Sequence, residues 1–221
     1  MTEPVTTTPS RVTTISGWER NGALAGVIAV ALWVVGLLIL GPVSDESKGP
    51  KVLAQYKAHD GRILLGAMIF LIGVAVFFFF LGALRSRLLA AEGANSPLTA
   101  VAFAGGVAAG ALLSLFPGAD AAGALAKDDL DQSAAVAIHN LGTAFFIGAE
   151  YIVPVLLVAT ALIALRTRVL PVWLAWVTLL IALLLLIGPI GWAALIFAFP
   201  LWVVVVSVLL WLRPPEAARA A

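Results

Sequence analysis

Glu150 is the one carboxylate inside any long apolar run of this 221-residue chain. It lies in Val136–Leu165, a stretch long enough to cross a bilayer, and an ionisable group held in hydrocarbon marks a candidate functional site. Pro154 follows four residues later and lacks the N–H that a helix would aim at the Glu150 carbonyl. Position 150 therefore presents a carboxyl and an open backbone oxygen, and both need a partner from a neighbouring helix or a trapped water. At about 100° per residue, His139, Thr143 and Glu150 fall within about 40° of one helix face. Such a polar stripe suits proton or cation handling. It equally suits a carboxyl that serves only as a hydrogen-bonded packing device.

The partner of Glu150 follows from depth. Glu150 stands about 24 Å above Arg166, and Ser114 about 24 Å above Leu98 in the antiparallel span before it. Gly36, about 23 Å above Asn21, leaves room at the same level. Ser114 is thus the expected hydroxyl partner, with Thr143 on the stripe above, and a kink is expected at Pro154.

A second chemistry needs His59, Asp60 and His139, which all fall near one membrane boundary. Two imidazoles and a carboxylate suit zinc, copper or, less readily, haem. The competing reading is that both histidines are merely interfacial. Asp120, Asp128, Asp129 and Asp131 form an acidic loop, but without the ordered spacing of a calcium loop. No cofactor is expected.

These residues must be held by membrane helices. The chain is 62% hydrophobic and 11% charged, with a mean hydropathy of +1.08, outside the range of soluble domains. A net charge of +1 gives no basic surface for nucleic acid. The absence of cysteine excludes disulfides, thiolate catalysis and iron–sulfur clusters. No nucleotide-binding loop, nucleophile elbow or zinc-protease helix is present.

The expected fold is all-α, a polytopic bundle of six transmembrane helices. Residues 1–20 form a Thr-rich tail, 21–213 the membrane domain and 214–221 a short second tail. The first span runs from Ala23 to Leu40. It exceeds a signal-peptide core and lacks a small-x-small cleavage pattern, so it is read as retained. The polar segment Val43–Asp60 carries a short helix from Pro50, with Val52, Leu53 and Tyr56 on one side and Lys51 and Lys57 on the other. Spans follow at Arg62–Leu84, Leu98–Phe116 (ended by Pro117-Gly118), the Glu150 stretch, Pro171–Ile187 and Trp192–Leu212. Gly188-Pro189-Ile190-Gly191 reads as a reversal, Pro200 as a kink, and the last acidic-loop aspartates as caps of the fourth span. Phe77–Phe80 is core filler or lipid-facing surface. Gly22-x-x-x-Gly26 and Gly106-x-x-x-Gly110 serve helix packing within the chain in preference to a dimer interface.

Arg11, Arg20, Arg85, Arg87, Arg166, Arg168, Arg213 and Arg219 fall on one side, against Lys48, Lys51, Lys57, Lys127 and Arg62 on the other. This asymmetry places both termini in the cytoplasm.

Three stretches carry a family resemblance: Phe77 to Arg87 with Leu88 and Glu92-Gly93, then Leu170-Pro171-Val172-Trp173-Leu174-Ala175-Trp176, then Trp202 to Leu210. In these the chain resembles a family of small uncharacterised six-helix membrane proteins from actinobacteria. The resemblance implies a bacterial cytoplasmic membrane and brings no functional residue. The expected partners are the lipid bilayer and, beyond it, another membrane protein or a second copy of this chain. Three function classes stay open: a small transport or ion-handling protein using Glu150, a non-catalytic accessory membrane protein, and a metal- or haem-binding membrane protein.

Overall fold

The computed structural model describes residues 17–41, 49–93 and 96–212. Arg11, Arg213, Arg219, Lys48, most of the first tail and all of the last lie outside them, as do the side chains of Trp18 and Arg20. The described residues are helical: α1 (Gly17–Leu40), α2 (Gly49–Glu92), α3 (Pro97–Leu125), α4 (Gln132–Thr167), α5 (Val172–Leu185), α6 (Gly188–Ala193) and α7 (Phe199–Leu212), with a π-helical turn, Ala194–Ala198, joining the last two. Five stretches are long and apolar enough to cross a membrane: Gly22–Leu40, Pro50–Glu92, Pro97–Leu125, Gln132–Thr167 and Ile190–Leu212. α5 is apolar but has only 14 residues, a length of about 21 Å against the roughly 30 Å of a hydrocarbon core.

Several boundaries differ from expectation, each for a physical reason. The short helix from Pro50 is not separate from the second span. The two merge into a 44-residue helix whose backbone bends at His59 (φ −133°, ψ 22°). Pro117 does not end the third span, because α3 runs through it for two further turns. A membrane helix tolerates an internal proline when its neighbours cover the freed backbone, and Pro117 is buried. Pro154, as expected, lies inside one continuous helix, α4. At Pro200 the expected kink takes the form of the π-helical turn just before it. The Phe199 N–H reaches back to the Ala194 carbonyl, and Pro200 has no N–H for the next carbonyl in line. Gly188-Pro189-Ile190-Gly191 is the opening turn of α6, not a loop. The cap expected of the acidic loop is present: Asp131 accepts from the Ala134 N–H at 2.7 Å.

α1 packs on α2 and α7, α3 on α2 and α4, and α5 on α4. The main core is aromatic. Trp33 lies 5.2 Å from Phe77, and Phe77 lies 5.7 Å from Phe80. Phe199 stacks on Trp202 at 6.1 Å. The Phe77–Phe80 run divides by helical period: Phe77 and Phe80 face inward and Phe78 and Phe79 outward. Gly106 and Gly110 meet Leu81 and Phe78 of α2, while Gly26 meets Phe80 and Val203. Their small-residue patterns therefore serve packing within the chain. Between α5 and α7, the Trp202 indole N–H donates to Thr178 at 2.7 Å, and Thr178 donates to the Leu174 carbonyl at 2.7 Å.

A second, smaller core lies apart from the first. Val52, Tyr56, Ile63, Ala124 and Ala135 form it, where the start of α2, the end of α3 and the start of α4 come together. As expected, Val52 and Tyr56 are on the buried side of their helix, with Lys51 and Lys57 exposed. This helix packs on α3 and α4 and forms a cap over one end of the bundle. Lys57, Asp60 and Lys127 stand at that end. The opposite end holds Arg85, Arg87, Glu92, Arg166 and Arg168. There the Arg87 guanidinium donates to the Leu210 carbonyl at 3.0 Å, and Glu92 accepts from the Thr99 N–H at 3.1 Å and from Ser96. Glu92 thereby fixes the first turn of α3.

Candidate functional site

Glu150 is 4% exposed, the sole buried charged residue among those described apart from Asp120. Its side chain turns from α4 toward the opening turn of α6. A Cβ placed on Gly191 would stand 2.6 Å from the Glu150 carboxyl carbon and 2.6 Å from the Leu185 carbonyl oxygen. The carboxyl therefore occupies the space that any side chain at position 191 would need. α5 ends at Leu185, so the reversal between α5 and α6 comes at the level of Glu150 and sets a glycine backbone against it. The Pro154 ring leaves the Glu150 carbonyl without its helical donor.

The expected companions of Glu150 are elsewhere. Ser114 turns back on its own helix and donates to the Ala111 carbonyl at 2.6 Å. Thr143 is exposed, its hydroxyl 3.3 Å from the His139 carbonyl. Both hydroxyls satisfy themselves within a helix turn, a local alternative that depth arguments do not capture. Gly36 is taken up by α2, since a Cβ there would stand 2.8 Å from the Phe70 nitrogen.

A different cluster is assembled in the cap. Asp120, 2% exposed, lies inside α3 and uses one carboxylate oxygen for two partners. The Tyr56 hydroxyl donates to Oδ1 at 2.8 Å, and Nδ1 of His139 lies 2.9 Å from the same atom. Three helices thus meet at one oxygen. With the carboxylate as acceptor, the imidazole donates its Nδ1–H to Oδ1. The His139 side chain is 19% exposed, which gives the cluster its contact with the outside. Tyr56 reaches Asp120 only because Gly123 carries no side chain: a Cβ there would meet Cζ of the ring at 2.6 Å.

The three metal candidates are divided. His139 is committed to Asp120, Asp60 pairs with Lys127, and His59 is exposed at the bend of α2. Among the described residues no three His, Asp or Glu side chains gather as a metal-binding group. The Asp60 carboxylate holds the Lys127 ammonium above its ordinary pKa by accepting its hydrogen bond.

Asp120 and Tyr56 are the residues that sequence reading missed. Their signal was helical spacing. Leu113, Pro117 and Asp120 share one face if α3 continues past the proline, and Val52, Tyr56 and Ile63 share another. Comparison with protein-family models, curated proteins and solved structures returns no match, so function rests on the site alone.

Proposed function

We propose that this is a multi-pass membrane protein that handles protons or small cations, with Glu150 as the intramembrane site and the His139–Asp120 pair as its station at the capped end. The burial of Glu150 within an apolar helical bundle carries this reading. Desolvation of an acid in hydrocarbon is costly, and groups kept there mark ion and proton pathways. Glu150 follows His139 by eleven residues on the same helix, about 16 Å along its axis. In this reading α5 completes a six-helix bundle, the arginine-rich end and both termini face the cytoplasm, and the membrane is a bacterial cytoplasmic one. The resemblance to the actinobacterial six-helix family is part of the same proposal.

Purified protein in liposomes, with an internal pH dye and an imposed proton or sodium gradient, tests the function. Dissipation faster than in empty liposomes supports it. Rates equal to empty liposomes under every gradient contradict it.

One observation favours the non-catalytic reading. A void of about 80 Å³ that reaches α4 at Phe146 is lined by Trp33, Leu113, Phe116, Phe146 and Leu195, and a water needs two or more polar partners to occupy such a space. If Glu150 only locks α4 against α6, its replacement changes stability and no flux.

A further inference from the structure

At the arginine-rich end, a groove of about 460 Å³ between α2 and α3 is lined by Gly82, Arg85, Ser86, Ala100 and Phe103. Arg85 is exposed, and its guanidinium carbon stands 5.5 Å from the centre of the Phe103 ring. That contact fixes the cation at the groove mouth by attraction to the ring face. Among the described residues the ion pairs seen, Lys127–Asp60 and His139–Asp120, do not involve Arg85. Arg87, two positions on, is turned to the Leu210 carbonyl instead.

This cation stands directly after the apolar run of α2 that ends at Leu84, where a membrane helix meets headgroups. Arg85 stands seven residues, about 10 Å, before the polar turn at Glu92. Beside the groove, away from Arg85, the surface is apolar. A Cβ on Gly82 would meet nothing within 4 Å, and Val107, one turn beyond Phe103, is exposed. The groove opens sideways from the bundle, between two helices that cross the bilayer.

We propose that this groove binds an anionic phospholipid. Its phosphate accepts from the Arg85 guanidinium and the Ser86 hydroxyl, and an acyl chain lies over Gly82 and Ala100 toward Val107. A guanidinium is suited to a phosphate because its fork donates two parallel hydrogen bonds. Basic pockets between membrane helices at this level take acidic headgroups. A soluble phosphate would leave the apolar part of the groove unused, and a zwitterionic lipid would bring a second cation toward Arg85.

Native mass spectrometry of the full chain in detergent, with phosphatidylglycerol and phosphatidylcholine added in equal amounts, tests the site. Phosphatidylglycerol should be retained preferentially. Arg85→Gln should weaken its binding about tenfold, the loss expected for a charge-assisted hydrogen bond. Gly82→Leu, at a position where a Cβ meets nothing within 4 Å, should weaken it comparably without lowering the melting temperature. Arg168→Gln, at the same end but outside the groove, should bind as the unaltered protein does. Wild-type-like retention in both groove variants overturns the proposal, as does an equal loss in Arg168→Gln. Displacement of the lipid by glycerol phosphate at equal concentration assigns the site to a soluble phosphate and also overturns it.

Discussion

Asp120 of α3 and His139 of α4 meet at 2.9 Å in a place where the sequence shows only a proline, a glycine and an acidic stretch. The contact exists because α3 keeps its helical path through Pro117 and carries Asp120 inward, beneath the Tyr56 ring. A carboxylate that would otherwise face water becomes the shared acceptor for side chains of two neighbouring helices.

That sharing predicts a large effect from a small change. Asp120→Ala leaves a buried phenol and an imidazole without their acceptor, at a cost of about 2–4 kcal/mol. Tyr56→Phe removes one donor and costs about 1 kcal/mol. Thermal unfolding in detergent reads both. In a double-mutant cycle Tyr56→Phe should cost much less in the Asp120→Ala background. Strict additivity would mean that the two side chains do not interact.

Gly191→Ala should destabilise by more than about 1 kcal/mol, because the added methyl meets both the Glu150 carboxyl and the Leu185 carbonyl. Gly118→Ala, where a Cβ meets nothing within 4 Å, should be neutral or stabilising by up to about 1 kcal/mol. Equal melting temperatures for the two variants would contradict the packing of α4 against α6.

Thr178→Val keeps the shape of the side chain but leaves the buried Trp202 indole N–H unpaired. Interhelical hydrogen bonds in membranes contribute about 0.6–2 kcal/mol, and the unfolding free energy should fall by that amount. The same substitution in a Trp202→Phe background should be nearly silent.

The orientation is open to chemical labelling. Arg168 and Lys57 stand at opposite ends of the bundle. Cysteines at these positions, in a chain that has none of its own, should react with an impermeant reagent in intact cells at 57 and not at 168. The reverse pattern would place the capped end in the cytoplasm.

Much of this fold was legible in the residues. Apolar runs of bilayer length marked the helices, and the pairing of Val52 with Tyr56 marked the buried side of the cap. The Phe77–Phe80 run was readable as core or surface, and the helical period makes it both. What failed was the treatment of Pro117 as punctuation. It sits inside a continuous helix, as Pro154 was expected to and does, and Pro200 follows a π-helical turn within its span. In the low-water interior of a bundle a helix has no better alternative for its backbone than to continue. Ending α3 too soon hid Asp120, and with it the pair that holds His139. The burial of Glu150 followed from its helix alone, whereas its neighbour did not. Ser114 is turned back on its own helix, and Gly191 is identified only once α5 is seen to stop short.

The central claim is that Glu150 exchanges a proton or binds a cation, and proton flux through Glu150→Gln tests it most directly. The amide preserves the shape of the side chain against Gly191, so the variant should fold and melt close to the unaltered protein. In liposomes under an imposed pH gradient, the unaltered protein should dissipate the gradient and Glu150→Gln should match empty liposomes. Equal flux through the folded Glu150→Gln variant and the unaltered protein would contradict the claim and leave Glu150 as a packing group between α4 and α6.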